Sequence, residues 1–522
     1  MSTRTDMFLK GLHRPDAYPH AIDEVAVRET HISWIFLTGE FAYKVKKPVR
    51  TSFLNFRTLE LRRAACHEEL RLNRRYAPDL YIDVLPIAGT TATPKVDGNG
   101  PPIEYAVRMR QFPEAALLSQ MADAGMLTSA RIDELADVVG CLHRTADRVL
   151  ASAPWGHADA IIRESEENIE ALEAAGYLDL SDALDHLQRW TADASRRLHP
   201  RFEQRRADGF VRECHGDLHL GNIVVWHPAN PRLAPELGRV TPFDGIEFNP
   251  EFRWIDVVSD IAFTVMDLDD RGHWPLANRL LNAWLEYTGD YAGLAVLDWY
   301  LVYRALVRAK VALIRAGQER DHSEVRQRQL EEAFQYVRLA EAYTRRHRPQ
   351  LAITVGASGS GKTTGSQPLV DQLGFIRIRS DVERKRLAGL SAEAQSRSPV
   401  GDGLYTSEQT GRTYARLADL AGEILRAGRS VVVDATFLQR EQRSRFQELA
   451  DRCGVQFTII PFDADAATLR ERIEARRLSD TDASEARIDV LESQLKSRES
   501  LTPDERSLVQ RLADMLANAA SQ

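Results

Sequence analysis

Hydrophobic and polar positions follow two periods along this chain, and the switches between them outline its parts. Between positions 31 and 49 the run HISWIFLTGEFAYKVKKPV alternates with period two, with Ile32, Trp34 and Phe36 on one face. It predicts two strands joined at Thr38-Gly39-Glu40. Lys44 and Lys46 lie two apart on the second strand and share one face. An ammonium group on an inner strand face is costly unless it is paired or functional. Residues 59–76 read as a helix, with Leu61, Leu70 and Leu72 among charges that include Glu68 and Glu69, and Pro78 closes it. Either glutamate is a candidate partner for a strand lysine. Residues 80–87 and 104–111 read as two further strands around the Gly/Pro-rich loop 98–102. The period then becomes helical over 127–150, 161–175 and 181–198.

Strand patterns return at 222–226 and 239–243, which predict a hairpin with Asp217 just before it and Asp244 at its far end. Long helices are expected over 284–315 and 324–346, with Tyr303, Leu306 and Val307 at core spacing. After the polar run Thr344-Arg-Arg-His-Arg-Pro349, short apolar strands at 351–355, 374–379, 430–434 and 455–462 alternate with helical segments. That alternation predicts a doubly wound parallel sheet. The expected organisation is therefore α/β with two domains, 1–348 and 349–522, divided near Arg348.

Composition adds limits. A chain of 522 residues exceeds what one core usually supports, and 43% hydrophobic with 28% charged residues is ordinary for a soluble globular protein. The net charge of −8 supplies no global basic field for nucleic acid, though a local basic groove stays open. No apolar leader or spanning stretch is evident, so a cytoplasmic protein with no membrane partner is expected. The four cysteines lie far apart without C-x-x-C spacing, which points to free thiols rather than disulfides or a zinc site. Oligomeric state is not encoded in any of these features.

The most specific chemical signal is Gly356-Ala-Ser-Gly-Ser-Gly-Lys-Thr363, a full match to G-x-x-x-x-G-K-[ST] between a strand and a helix. Gly356, Gly359 and Gly361 allow the backbone to wrap phosphate oxygens, and Ser358, Ser360 and Thr364 complete the expected nucleotide cradle. Lys362 would reach the β- and γ-phosphates of ATP, Thr363 would hold Mg²⁺, and the helix N-terminus adds its positive end. Asp381 and Arg384 sit at the C-terminal end of the second strand, where such sheets place ligands, as a candidate base and cation. Asp434 ends a buried strand and is a candidate metal-side carboxylate. The helix over 469–477 carries Arg470, Arg472, Arg476 and Arg477, either as a solvated charged face or as a lid whose Arg472 and Arg476 meet the nucleotide.

The second signal is Glu213-Cys-His-Gly-Asp-Leu-His-Leu-Gly-Asn222, followed by Asp244-Gly-Ile-Glu247. One carboxylate for a substrate hydroxyl, then an amide and a second carboxylate for Mg²⁺, is what phosphoryl transfer requires. With these motifs the chain over about 36–260 resembles the aminoglycoside phosphotransferase and choline kinase-like family, relatives of protein kinases with a bilobal α+β fold. The resemblance implies Asp217 as catalytic base, Asn222 and Asp244 as magnesium ligands, and Lys44 with Glu69 as the pair that positions the phosphates, with Lys46 and Glu68 as alternates. It also implies a hinge at Arg110-Gln-Phe112. The metal motif here is Asp-Gly-Ile-Glu, with Glu247 as an extra acid, and no Gly-rich loop precedes Lys44. Asp256 and Asp260 would share a face of the following helix, bracing the catalytic loop or facing solvent.

The region 351–501 is similar to the P-loop kinase group that includes polynucleotide 5′-hydroxyl kinases, gluconate kinases, chloramphenicol phosphotransferases and zeta-type toxins. Asp381 with Arg384 is similar to that group's base and substrate-phosphate binder, and Asp434-Ala-Thr436 to its D-x-T-N, with Phe437 in place of the final Asn. The two resemblances together imply an ATP-dependent phosphotransferase acting on a hydroxyl of a small molecule or of a nucleic-acid end. A nucleotide-sensing or toxin-like module and an end-repair kinase are the alternatives.

Overall fold

A computed structural model describes residues 3–51, 54–227, 238–319, 323–346, 348–391, 406–479 and 488–520. The chain forms two compact units, Met1–Ala171 with Thr191–Asp267, and Leu172–Trp190 with Leu268–Gln522. These packing units do not coincide with the division near Arg348, because the helices after Asp267 pack with the P-loop half.

The first unit is built on an antiparallel six-stranded sheet, where four strands were expected. Its strands are β1 (Ala26–Glu29), β2 (Ser33–Leu37), β3 (Phe41–Lys46), β4 (Tyr81–Gly89), β5 (Pro94–Val96) and β6 (Glu104–Arg110), in the order β1-β2-β3-β6-β4-β5. The additional β1 and β5 are short edge strands without a strong apolar pattern. Alternation sorts the faces of β3: Tyr43 and Val45 join Trp34 and Phe36 in one core, while Ala42 joins Cys66, Tyr81 and Val107 in another. Lys44 and Lys46 therefore point toward the face that the helix Leu59–Asn73 covers.

That helix starts at Thr58, whose side chain accepts from the Leu61 N–H. It buries Arg62, Ala65, Cys66, Glu69, Leu72 and Asn73, a stripe at helical spacing. Of the expected apolar markers Leu72 is buried and Leu70 packs against a core, whereas Leu61 is 40% exposed and two of the buried stripe positions are charged.

The rest of the unit is mainly helical, with two small antiparallel pairs. The strand β7 (Val211–Glu213) pairs with β10 (Trp254–Asp256), and β8 (Ile223–Trp226) with β9 (Arg239–Pro242). Residues 254–256 thus form a strand instead of the expected helix, which begins at Val257. Asp256 and Asp260 do not share a helix face as a result.

In the second unit, the helix expected over 284–315 is two helices, Trp274–Thr288 and Leu294–Gln318. Gly289 ends the first in the left-handed region at φ 76°, and Asp290 caps the next turn by accepting from the Gly293 N–H. Glu324–Tyr343 follows. The sheet then forms from β11 (Gln350–Val355), β12 (Ile376–Arg379), β13 (Val431–Asp434) and β14 (Gln456–Pro461), all parallel in the order β12-β13-β11-β14. This is the expected doubly wound P-loop fold, with the nucleotide loop leaving the central strand β11. Among the described residues no helix is long and apolar enough to cross a membrane.

Candidate functional sites

In the first unit the lysines of β3 meet three carboxylates from two segments, the helix Leu59–Asn73 and the stretch Asp244-Gly-Ile-Glu247. Lys44 Nζ lies 2.8 Å from Glu69 Oε1 and is also ion-paired with Asp244. Lys46 Nζ lies 2.5 Å from the other Glu69 oxygen and pairs with Glu247. Both lysines therefore meet Glu69, and the alternate Glu68 instead binds Arg71 and Arg253, each at 2.8 Å. Glu247 is buried against Lys46, so it neutralises that cation and is not an additional open acid.

Burial acts on every member of this cluster and the charges act against it. Burial pulls the Lys44 ammonium down, yet Asp244 and Glu69 hold it well above its ordinary pKa. Burial pushes the Glu69 carboxyl up, but Lys44 and then Lys46 outweigh it and bring it down to about 2. For Glu247 burial prevails over Lys46, and the neighbouring Glu69 charge adds to it, so its pKa is raised.

The residues of the His215–Asn222 loop hold one another through backbone and side-chain bonds. Asn222 Nδ2 donates to the Asp217 carbonyl and to Asp217 Oδ2, both at 2.9 Å. The Asp217 carboxylate is part-exposed. His215 Nε2 donates to the Phe243 carbonyl at 2.8 Å, while its Nδ1 accepts from the Asp217 N–H at 3.3 Å. Burial lowers the pKa of this ring and favours the neutral form that such bonding needs. Asp260 accepts from the His215 and Gly216 N–H groups at 3.1 and 2.9 Å and so braces the loop, whereas Asp256 is paired with Arg205 at 2.6 Å.

Asp244 has φ 63°, a left-handed conformation rare outside glycine. Its N–H donates to the Tyr81 hydroxyl at 3.1 Å, and the following Gly245 N–H donates to Asn73 Oδ1 at 2.8 Å. These two contacts fix the turn that aims the Asp244 carboxylate at Lys44. At the expected hinge, the Gln111 N–H donates to the Glu40 carbonyl, and Gln111 Oε1 accepts from Gly39 N–H at 2.8 Å. The turn between β1 and β2 contains no glycine and closes with the Thr30 N–H on the Ser33 carbonyl.

In the second unit the P-loop residues line a cavity of about 280 Å³. Gly356 allows close passage of the chain, since a Cβ there would lie 2.3 Å from the Phe462 carbonyl oxygen. Gly361, at φ 86°, turns the chain into the helix Lys362–Leu373. Lys362 Nζ donates to the Ala357 carbonyl at 2.8 Å, and Thr363 Oγ1 to Asp434 Oδ2 at 2.6 Å. Ser360 Oγ is buried with no hydrogen-bond partner, and Ser358 N–H donates to Gln494 Oε1 at 2.8 Å. Ser358, Gly359, Thr364, Asp381 and Arg384 face the same cavity, with Arg384 Nη1 2.8 Å from Asp381 Oδ1.

Arg472 Nη1 donates to the Gly359 carbonyl at 3.4 Å, and Arg470 is engaged by Glu492 at 2.6 Å. The side chains of Arg476 and Arg477 lie outside the described residues. Phe437 stands where the resemblance expects Asn, and its ring is fully buried, edge-on to Tyr414 and Phe446. Its φ of 47° lies in the left-handed region, and its N–H donates to the Tyr414 hydroxyl at 3.1 Å. Sequence reasoning missed Arg379, Tyr414, Gln439 and Gln494 in the cavity wall. Arg379 alone had a signal, being the last residue of the strand that delivers Asp381.

Residues 351–501 match the family model AAA_33, described as an AAA domain. This is the span that resembles P-loop kinases. An uncharacterized protein of Mycobacterium tuberculosis is 28% identical over 474 residues, covering 90% of each chain. Among solved structures, a sugar kinase from Janibacter sp. HTCC2649 is 24% identical over 33% of this chain and 92% of its own, with a TM-score of 0.25. The amicoumacin kinase hAmiN, in complex with AMP-PNP, Ca²⁺ and Ami, is 14% identical over 65% of this chain and 93% of its own, with a TM-score of 0.40.

Proposed function

We propose that the chain is an ATP-dependent phosphotransferase with two nucleotide-handling centres, one in each compact unit. The observation that supports this best is the shared cavity in the second unit, where Asp381 and Arg384 face Lys362, Thr363 and Asp434. A nucleotide sensor needs only the P-loop; a candidate base opening onto the same space is what transfer to an acceptor requires. In the first unit, Lys44 joined to both Glu69 and Asp244, with Asn222 bonded to Asp217, supports the same chemistry by a different construction.

In each centre the acid, Asp217 or Asp381, would orient an acceptor hydroxyl for in-line attack on the γ-phosphate, and the lysine would hold the phosphates. The hydroxyl and carboxylate oxygens of Thr363 and Asp434, 2.6 Å apart, fit a hard divalent cation, as do the oxygens of Asn222 and Asp244. Mg²⁺ bound there would neutralise phosphate charge. The acceptor is read as a small-molecule hydroxyl and the setting as cytoplasmic. Arg470 is paired with Glu492 instead of forming a bare cationic surface, which weakens the end-repair reading.

The test is a screen of sugars, aminoglycosides, nucleosides and 5′-hydroxyl oligonucleotides with labelled ATP, using Lys362→Ala and Asp217→Ala as controls. Label transfer to a small acceptor that is lost in one variant supports the proposal. Transfer to oligonucleotides alone would favour end repair, and nucleotide binding without transfer to any acceptor would favour a sensor.

A further inference from the structure

The helix Trp274–Thr288 precedes the P-loop by more than sixty residues, yet it is fitted to the segment that carries Asp381 and Arg384. Its contacts begin at the edge strand β12. Asn282 Oδ1 accepts from the Arg377 N–H at 2.7 Å, and Asn282 Nδ2 donates to the Phe375 carbonyl at 3.1 Å. One side chain thus supplies the acceptor and donor that a further strand would offer this edge. Asn278 Nδ2 donates to the Asp371 carbonyl at 3.2 Å, and Arg279 pairs with the Asp371 carboxylate at 3.3 Å.

Glu286, one turn further along, touches both ends of the functional segment. Its carboxylate pairs with Arg379 at 3.0 Å, and its backbone carbonyl accepts from Arg386 Nη2. Arg379 lies two residues before Asp381 and faces the cavity, while Arg386 lies two residues after Arg384. The Glu286 and Arg379 side chains are 22% and 14% exposed, so solvent screens this pair less than an open surface pair. Arg386 also pairs with the buried Glu383 of the same segment.

We infer that Glu286 is a positioning residue for the P-loop centre: its carboxylate, through the pair with Arg379, fixes the segment that presents Asp381 and Arg384 to the cavity. Its backbone carbonyl holds Arg386 whatever the side chain. The working P-loop unit therefore begins before Trp274. A division near Arg348 follows the change in sequence pattern and would remove part of the site's support. This rests on the phosphotransferase reading of the P-loop centre. A small displacement of a catalytic group costs up to about a hundredfold in rate, while the phosphate loop, anchored on β11, keeps its own contacts.

The experiment uses the full chain in an Asp217→Ala background, so that turnover reports the P-loop centre. Phosphate release from ATP, affinity for a fluorescent ATP analogue and thermal melting are measured for Glu286→Ala and Glu286→Gln. The expected result is phosphate release reduced about tenfold in Glu286→Ala and less in Glu286→Gln. Nucleotide affinity should stay within about twofold and melting should be little changed. Unchanged phosphate release, or a parallel fall of rate, affinity and melting temperature, would overturn the inference. Lys362→Ala in the same background is the separate control. If it leaves phosphate release intact, the reading of the P-loop centre fails, whatever the Glu286 variants do.

Discussion

The two candidate centres hold their proposed phosphate-binding lysine in opposite ways. Lys44 stands on a strand whose N–H groups are already used by the sheet, so the surrounding polarity comes from side chains: Glu69, Asp244 and, through Lys46, Glu247. Lys362 opens a helix after a glycine loop, and its Nζ donates to a backbone carbonyl of that loop. In the first construction the lysine is itself buried among carboxylates; in the second the loop is buried but Lys362 is half-buried in a cavity wall. Stability and function should therefore be coupled at Glu69 and separable at Lys362.

The largest expected effect is at Glu69. Glu69→Ala leaves two buried ammonium groups short of a carboxylate and should cost about 3–5 kcal/mol in denaturant unfolding. Lys362→Ala should instead lower turnover at the P-loop centre by about 10²–10³-fold with unfolding changed by less than about 1 kcal/mol. Equal destabilisation by the two variants would break the comparison.

A smaller effect is expected with acid. The Glu69 pKa is lowered from 4.5 to about 2, so its contribution is complete above pH 4.5 and is lost as pH falls through about 2. The amount is on the order of 3 kcal/mol. Unfolding followed against pH should show this slope in the wild type and a flatter one in Glu69→Gln.

An effect of similar size concerns a half-buried carboxylate of the second unit with the opposite shift. Burial raises Asp269 from 3.8 to about 6, against a hydrogen bond of 2.7 Å from the Tyr343 hydroxyl. A raised carboxylate contributes most at low pH and loses that contribution as pH rises from 3.8 through about 6. Asp269→Asn, which keeps an acceptor for Tyr343, should gain on the order of 3 kcal/mol relative to wild type at pH 8 and little at pH 4. A gain that is independent of pH would show that charge is not the cause.

Legibility in the sequence followed locality. The P-loop could be read because its eight residues act on one another along a contiguous stretch, and H-G-D-L-H-x-x-N for the same reason. The sharing of Lys44 and Lys46 by one glutamate could not, because it depends on which helix face lands on β3, and that face carries Arg62, Glu69 and Asn73 among its buried positions. The break at Gly289 and Asp290 was hidden by apolar residues that continue on both sides of it. Asp256 was misplaced because a three-residue strand carries too little pattern to oppose a helical reading. Gln494 and Glu286 reach their sites from 136 and 93 residues away in sequence, and nothing near either residue marks it.

The most direct test of two separable centres is phosphate transfer from labelled ATP by the wild type, Lys362→Ala, Asp217→Ala and the double variant, measured side by side. The account predicts that each single variant removes a distinct part of the transfer and that the double variant removes all of it. Loss of all transfer in one single variant, or full transfer in the double variant, would contradict it.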